Sequence, residues 1–367
     1  LISHSPERPV LLHIFPTFAV GGAQVRFAAL ANHFGRNMRH IVVALDGKLD
    51  ARDKLDAGLA IHFADPGRAA GPAAEFRRAR RFLRHMHADL LITSNWGAMD
   101  WAAANRLTTL PHIHTEDGFG PAEQNRQLTR RVVARRLVLR SSQVVLPSRT
   151  LLRIATDQWH LPPANLHFIP NGIDIARFAG AAPATLPPGA GPVVGTIAVL
   201  RPEKNVARLL RAFAMLRQRA AARLVIVGDG PERAVLEAQA ASLDVGDAVH
   251  FAGYSAGAAH WLAAFDLFAL SSDTEQMPLS LLEAAAAGLP VASTDVGDVR
   301  TMLAAENEPF VVRRDDAALA DAMARLLSDP ALARAVGAAN GARAAAEYDQ
   351  ARMFAAWGRL LSAAIGT

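Results

Sequence analysis

The feature that most constrains this chain is an alternation of short apolar runs with helix-patterned stretches, which starts, stops and starts again. In the first half VLLHIF (Val10 to Phe15) reads as a buried strand and GAQVRFAALANHF as the helix after it. HIVVAL, DLLITS, PHIHTE and SQVVLPS are further strand patterns, separated by arginine-rich helical stretches such as EFRRARRFLRHMH. Strands joined through helices run parallel, so such a pattern builds an open doubly wound sheet. The alternation breaks at Ala179–Pro192, AGAAPATLPPGAGP, whose Ala, Pro and Gly content without any period predicts a linker. Beyond it PVVGTIAVL, ARLVIVG, AVHFAG, DLFALS and LPVAST repeat the strand pattern, with VARLLRAFAMLRQR, PERAVLEAQAASL, HWLAAF and PLSLLEAAAAG as helices. The expectation is an α/β protein of two Rossmann-like, doubly wound domains, residues 1–178 and 192–349, joined by a linker over 179–191. Ligands of such sheets sit beyond the carboxyl ends of the strands, so a cleft between the two domains is the expected site.

Composition narrows the chemistry. Of the 367 residues 51% are hydrophobic, enough for each half to bury a core. Cysteine is absent, which excludes disulfides, thiolate zinc sites and cysteine nucleophiles. No apolar run reaches the roughly 18 residues of a membrane span, and the opening LISHSPERP lacks the shape of a signal peptide. A cytoplasmic protein is the expectation. Lysine stands only at Lys48, Lys54 and Lys204, so a lysine inside a motif carries information that an arginine would not. There is no Asp-x-Asp, the usual device for holding a divalent ion against a nucleotide diphosphate. Neither a metal nor a cofactor is expected.

The densest motif is SSDTEQMPLSLLEAAAAGLPVASTDVGD, Ser271 to Asp298. Glu275 falls in a loop before a helix that Pro278 can open, Glu283 falls within that helix, and Gly288 ends it. Two carboxylates thus stand at different depths near one helix N-terminus, whose free amides attract phosphate. A carboxylate repels phosphate, so these two suit hydroxyl groups, which sugars and riboses supply. The plain alternative is a capped amphipathic helix with two surface glutamates.

Glu, seven residues, Glu, then EAAAAGLPV and a glycine-containing loop resemble the signature of the retaining GT-B glycosyltransferases of family 4. That family includes sucrose-phosphate synthases and many bacterial cell-envelope transferases. VGGAQ, HTEDGF, IPNGID, RPEKN, VGDGP and HFAGY stand in the family's order and carry the resemblance over nearly the whole chain.

The resemblance implies transfer of a sugar, a hexosyl group by expectation, from a nucleoside-diphosphate sugar to a glycan or lipid-linked acceptor. It implies a donor held by the second domain, an acceptor held by the first, and a C-terminal helix over about 350–367 packing back on the first domain. Glu283 would hold the ribose. Glu275, the amides of Gln276 and Met277, and the adjoining Pro278 and Leu279 would hold the transferred sugar. Lys204, helped by Arg201 and the Gly21–Gly22 loop, would stabilise the departing diphosphate, the task a metal performs in other transferases. Gly230 and Tyr254 belong to the donor side, His114 lies near the donor sugar, and Gln24 and Asp117 fall on the acceptor side. The family has no agreed carboxylate nucleophile, so front-face substitution is implied. This chain departs from the family pattern in three places. Val199 replaces an arginine five residues before the lysine, Gln24 replaces a common Glu, and Gln276 replaces a common Gly.

Read without the resemblance, several of these residues keep a second meaning. Gly21 and Gly22 make a tight turn, Lys204 a solvated surface, His114 a polar core or a cap, and Tyr254 a core aromatic. Asn171, Gly172 and Asp174 read as a turn on the hinge side. Gly228 and Gly230 are half a dinucleotide fingerprint, broken by Pro231 and Glu232. RQLTRRVVARRLVLR holds six arginines between Arg126 and Arg140, which fit either solvated helix faces or an anionic membrane surface at the inner face of the cytoplasmic membrane. Nucleic acid is not expected, because no stacking platform accompanies the charge. A nucleotide-sugar epimerase and a non-catalytic sugar-nucleotide-binding subunit are the rival functions.

Overall fold

The computed structural model describes residues 8–35, 37–67, 69–119, 123 and 126–366, so the opening segment Leu1–Glu7 lies outside the described residues. The chain divides into two compact units, Leu1–Pro170 with Met353–Thr367, and Asn171–Arg352.

The first unit is built on strands β1 (Val10–Phe15), β2 (Arg39–Ala44), β3 (Ile61–Phe63), β4 (Leu90–Ser94), β5 (His112–Thr115), β6 (Gln143–Leu146) and β7 (Leu166–Phe168). They form one sheet in the order β3-β2-β1-β4-β5-β6-β7, and every pair is parallel. Helices α1 (Gly22–Phe34), α2 (Pro72–His85), α3 (Met99–Asn105), α4 (Thr129–Val138) and α5 (Arg149–Asp157) connect them. Alternate strand residues point to opposite faces, which sorts the two cores. Leu12, Ile14 and Leu91 pack against Ala79 and Leu83 of α2 and Trp101 of α3. Their neighbours Leu11, Leu90 and Ile92, with Ile113 and Val145, take Met353, Trp357, Leu360 and Leu361 on the other face. Those four come from the C-terminal helix α13 (Gln350–Ile365), whose fully apolar stripe recurs at helical spacing.

The second unit repeats the plan. Strands β8 (Val193–Ile197), β9 (Arg223–Val227), β10 (Val249–Gly253), β11 (Leu267–Leu270), β12 (Val291–Thr294) and β13 (Val311–Val312) lie in the order β10-β9-β8-β11-β12-β13, all parallel. Their helices are α6 (Val206–Arg217), α7 (Arg233–Ser242), α8 (Ala258–Ala263), α9 (Leu279–Ala286), α10 (Val299–Met302), α11 (Asp316–Ser328) and α12 (Pro330–Glu347). Leu224 and Ile226 face α6 and α11, whereas Val225 and Val227 face α8 and α9. Three helix starts are closed by side chains that accept a hydrogen bond from the first-turn amides: Asn205 for α6, Asp315 for α11 and Asp329 for α12.

Two boundaries differ from the expectation. The division falls at Pro170–Asn171, so IPNGID opens the second unit instead of closing the first domain. The stretch read as a linker is held along the second unit. His260 Nδ1 meets the Ala182 carbonyl at 2.7 Å, the Ala184 amide donates to the His260 carbonyl at 2.8 Å, and Arg223 Nη1 donates to the Pro187 carbonyl at 3.0 Å. A segment rich in proline offers carbonyls with few competing amides, and these neighbours take them. Just inside the second unit the Ile173 amide donates to Tyr348 and the Gln350 amide donates to Ile173, both at 2.9 Å. The first and last segments of that unit are thus tied to each other.

Candidate functional site

In the second unit the chemistry gathers at the carboxyl ends of β8 and β11. After β8 the chain makes a tight turn, the Arg201 amide donating to Val199, and then a single 3₁₀ turn over Pro202–Lys204. After β11 it enters the Ser271–Pro278 loop. Residues 71 apart in sequence meet here: Lys204 Nζ donates to Glu275 Oε1 at 2.5 Å, and Ser272 Oγ donates to the same oxygen at 2.7 Å. The Glu275 side chain is nearly buried and that of Lys204 about a quarter exposed.

The walls around this pair are fixed. Asn205, held at φ 41° as the N-cap of α6, donates from Nδ2 to Asp273 at 2.9 Å, and Arg208 donates to the other Asp273 oxygen at 2.7 Å. Thr294 at the end of β12 donates to the Ser272 carbonyl at 2.7 Å. Asn171 donates through Nδ2 to the Met277 carbonyl at 3.2 Å, which gives the Asn-Gly turn a part in holding the Ser271–Pro278 loop. Gly297, at φ 55°, lets the next loop lie on that backbone, since a Cβ there would stand 2.2 Å from the Glu275 carbonyl oxygen. Gly230 does the same beneath the lysine turn, a Cβ there meeting the Leu200 carbonyl oxygen at 2.4 Å. The GDGP glycines therefore serve close backbone packing at the site.

Other expected residues sit around this centre. Arg201 and Val199 are exposed at the turn, and the Arg201 guanidinium has no ion-pair partner among the described residues. Gln276 is half-buried and Met277 buried at the loop end, Pro278 precedes α9 as its N-cap, and Leu279 opens it. Glu283 stands half-buried one turn further along α9. Tyr254, just past β10, is 65% exposed, which removes the core-aromatic meaning.

In the first unit the expected residues divide between strand ends and interior. Gly21 is the N-cap of α1 and Gly22 its first residue, and buried Gln24 folds back to donate to the Thr17 carbonyl at 2.8 Å. Gln24 thus braces the glycine loop from beneath. Asp117, just beyond β5, gives both carboxylate oxygens to Arg26 of α1, a pairing that competes with a role as a base. Its amide donates to Asn95 Oδ1 at 2.7 Å. Asn95 itself stands at φ 57° and ψ 177°, a conformation that favours glycine and marks stored strain at this strand end. Sequence reasoning passed over Asn95 and Arg26.

His114 is fully buried, on the face of β5 covered by helices. Its Nδ1 meets Thr93 Oγ1 at 2.8 Å, and that hydroxyl also meets His112 Nε2 at 2.8 Å. Its Nε2 lies 3.7 Å from Glu116 Oε2. Glu116 accepts from Arg135 Nε at 3.1 Å, and Arg135 also reaches Glu123 at 3.3 Å. The Arg135 guanidinium is stacked among Trp96, Phe119 and Trp159 at 4.9–5.3 Å from their ring centres. In this conformation His114 meets no solvent-facing surface, so the polar-core alternative describes its surroundings. Burial alone would raise the Glu123 carboxyl, but hydrogen bonds from Arg135 and Arg131 outweigh it and hold Glu123 below the usual range.

Both units are parallel sheets of Rossmann-type order, and the second carries a lysine–carboxylate pair at its strand ends, where ligands of such α/β sheets bind. The pattern described as Glycosyltransferase Family 4 matches residues 20–177, and that described as Glycosyl transferases group 1 matches residues 182–343. The D-inositol 3-phosphate glycosyltransferase of Salinispora arenicola is 30% identical over 76% of this chain and 69% of its own length. A GDP-mannose-dependent alpha-(1-6)-phosphatidylinositol monomannoside mannosyltransferase of Mycobacterium tuberculosis is 36% identical over 48% of this chain and 51% of its own. Among solved structures, Anabaena HepE in complex with UDP-glucose superposes with a TM-score of 0.81 at 18% identity, over 96% of this chain and 99% of the other, a likeness of fold. The chain belongs to the family 4 glycosyltransferases.

Proposed function

We propose that this chain transfers a hexosyl group from a nucleoside-diphosphate sugar to a hydroxyl of a glycan or lipid-linked acceptor, with retention and without a metal. The observation that carries the proposal is the meeting of Lys204, Glu275 and Ser272 at the ends of β8 and β11. In the absence of donor the two charges neutralise one another. A bound donor replaces each half of the pair: diphosphate oxygens take Lys204, and sugar hydroxyls donate to Glu275. Arg201, exposed beside Val199 and without an ion-pair partner among the described residues, supplies the second cation that the diphosphate requires. Glu283 on α9 takes the ribose hydroxyls, and Tyr254 lies against the base. The relatives named for a GDP-mannose donor and the neighbour holding UDP-glucose support a sugar-nucleotide donor and leave the base open.

The bond from the anomeric carbon to the diphosphate breaks as the acceptor oxygen bonds to the same face of that carbon. The acceptor's proton passes to the leaving phosphate oxygen. Lys204 and Arg201 stabilise the charge that grows on the diphosphate, where preorganised donors act most strongly.

The test is a thermal-shift panel of UDP, GDP, ADP and CDP, with and without excess chelator, followed by a transfer assay on the matching nucleotide sugars. A ligand at 100 times its Kd should stabilise by about 2.7 kcal/mol. One nucleotide standing out regardless of chelator, with an α-linked product from an α-linked donor by NMR, is the expected result. Binding that needs a divalent ion, or an inverted product, would overturn the proposal. Val199 favours the non-catalytic alternative, which nucleotide binding without any transfer would establish.

A further inference from the structure

The arginines of α4 do two different jobs. Arg131 and Arg135, four apart, turn inward to Glu123 and Glu116. The outward face presents Arg130, Val133, Arg136 and Leu137, continued by Arg140 in the turn that follows. Val133 is 48% and Leu137 63% exposed, one helical turn apart. Arg106 donates to the Leu137 and Val138 carbonyls at 3.3 and 3.4 Å, which ties the end of α3, with Leu107 at 52% exposure, to the end of α4. Arg130, Arg136 and Arg140 have no ion-pair partner among the described residues, and no Asp or Glu occurs from Arg126 to Ser141. On the same side of the sheet α2 turns Arg77, Arg81 and Arg84 to solvent.

We propose that this face is a docking surface for an anionic lipid bilayer. Water alone gives no reason to set two aliphatic side chains along the outward stripe of a helix that already buries two of its arginines. Exposed aliphatics ringed by unpaired guanidinia fit the boundary between acyl chains and anionic headgroups, where long basic side chains keep their charge at the phosphates. The single sign of charge selects the anionic leaflet, and the absence of an aromatic platform in the patch disfavours nucleic acid. The surface would hold the first unit where a lipid-linked acceptor lies, and it shares no residue with the donor site. Vesicle binding and nucleotide binding therefore fail or persist independently.

Co-sedimentation with vesicles of equal parts phosphatidylglycerol and phosphatidylcholine, against phosphatidylcholine alone, tests it. Binding to the anionic vesicles only, weakened by added salt, is expected. Each Arg→Gln change at Arg130, Arg136 or Arg140 should weaken partitioning about fivefold. Val133→Ser with Leu137→Ser should weaken it as well at constant charge. All these side chains are exposed, and unchanged emission from Trp96 and Trp159, which stack on Arg135 in the same unit, certifies each variant as folded. No binding to the anionic vesicles, or binding indifferent to both sets of substitutions, would overturn the proposal. So would a concentration-dependent dimer that Leu137→Ser dissociates, since a second copy would then own the face.

Discussion

In the proposed reaction Lys204 and Glu275 each exchange one partner for another, and that exchange makes opposite predictions for two substitutions. Lys204→Ala removes the cation from the departing diphosphate and should lower kcat about 100-fold or more, as loss of a preorganised donor does. Lys48→Ala, at an exposed position of the first unit, should leave turnover unchanged in the same assay. Equal effects would remove Lys204 from the site. Glu275→Gln frees Lys204 from its resting partner. A partly exposed pair is worth about 0.2–1 kcal/mol, so the bare nucleoside diphosphate should bind up to about fivefold tighter while transfer falls. Calorimetry with diphosphate alone reads the first and the transfer assay the second; weaker diphosphate binding would break the exchange argument. The motif residues on both strands were legible through their resemblance to a family. Ser272 and Thr294 were not, and Asn171 was read only as a hinge-side turn, because small polar residues gain meaning only from the loop they pin. His114 was read toward the donor sugar, yet the strand register turns it with His112 under the helices.

At the scale of elements the βα alternation was plain wherever strands ran to four residues or more. β3 and β7, of three residues, and β13, of two, are too short to show a period, and only their neighbours in the sheet make them strands. The stretch at Ala179–Pro192 was read from composition, which reports lack of a period but not which neighbours accept its carbonyls. Helix α4 shows the same limit. Its spacing puts 131 and 135 on one face, but which face turns inward depends on Glu116 and Glu123, which lie outside the helix. That pairing carries a prediction. Arg135→Met should leave buried Glu116 without its guanidinium and Glu123 with Arg131 alone, and destabilise the first unit by about 3–5 kcal/mol. Arg136→Gln, on the exposed face, should stay within about 0.5 kcal/mol. Urea unfolding followed by tryptophan fluorescence measures both, since Trp96 and Trp159 stack on Arg135. Part of the loss should return when Glu116→Gln and Glu123→Gln are added; no return would assign the cost to packing alone.

The whole molecule carries a pH asymmetry, because the histidines with lowered pKa all lie in the first unit. Burial, reinforced by the charge of His40, pushes His13 well below 6.5, and burial pushes His40 to about 4. The two rings face each other from β1 and β2, Nε2 to Nδ1 at 3.0 Å. Burial, then the charge of His114, takes His112 to about 3, and burial also lowers His167. Above pH 6.5 these rings are neutral in both folded and unfolded chains and cost nothing. As pH falls from about 6.5 toward 4, the unfolded chain gains protons that the folded unit refuses, so stability drops through that window. His40 alone accounts for roughly 3 kcal/mol by pH 4. The release of Glu123 from its low pKa removes further stability at the acid end, in the same direction. Acid should therefore unfold the first unit ahead of the second. Trp96, Trp101, Trp159 and Trp357 lie in the first unit and Trp261 in the second, so tryptophan fluorescence follows mainly the first. Calorimetry should then separate into two transitions near pH 5, with the nucleoside diphosphate raising only the one that fluorescence does not report. His40→Gln should recover part of the lost stability at pH 5 and little at pH 8. A single transition at every pH, moved as a whole by nucleotide, would show that the two units unfold as one and that the histidine cost is shared between them.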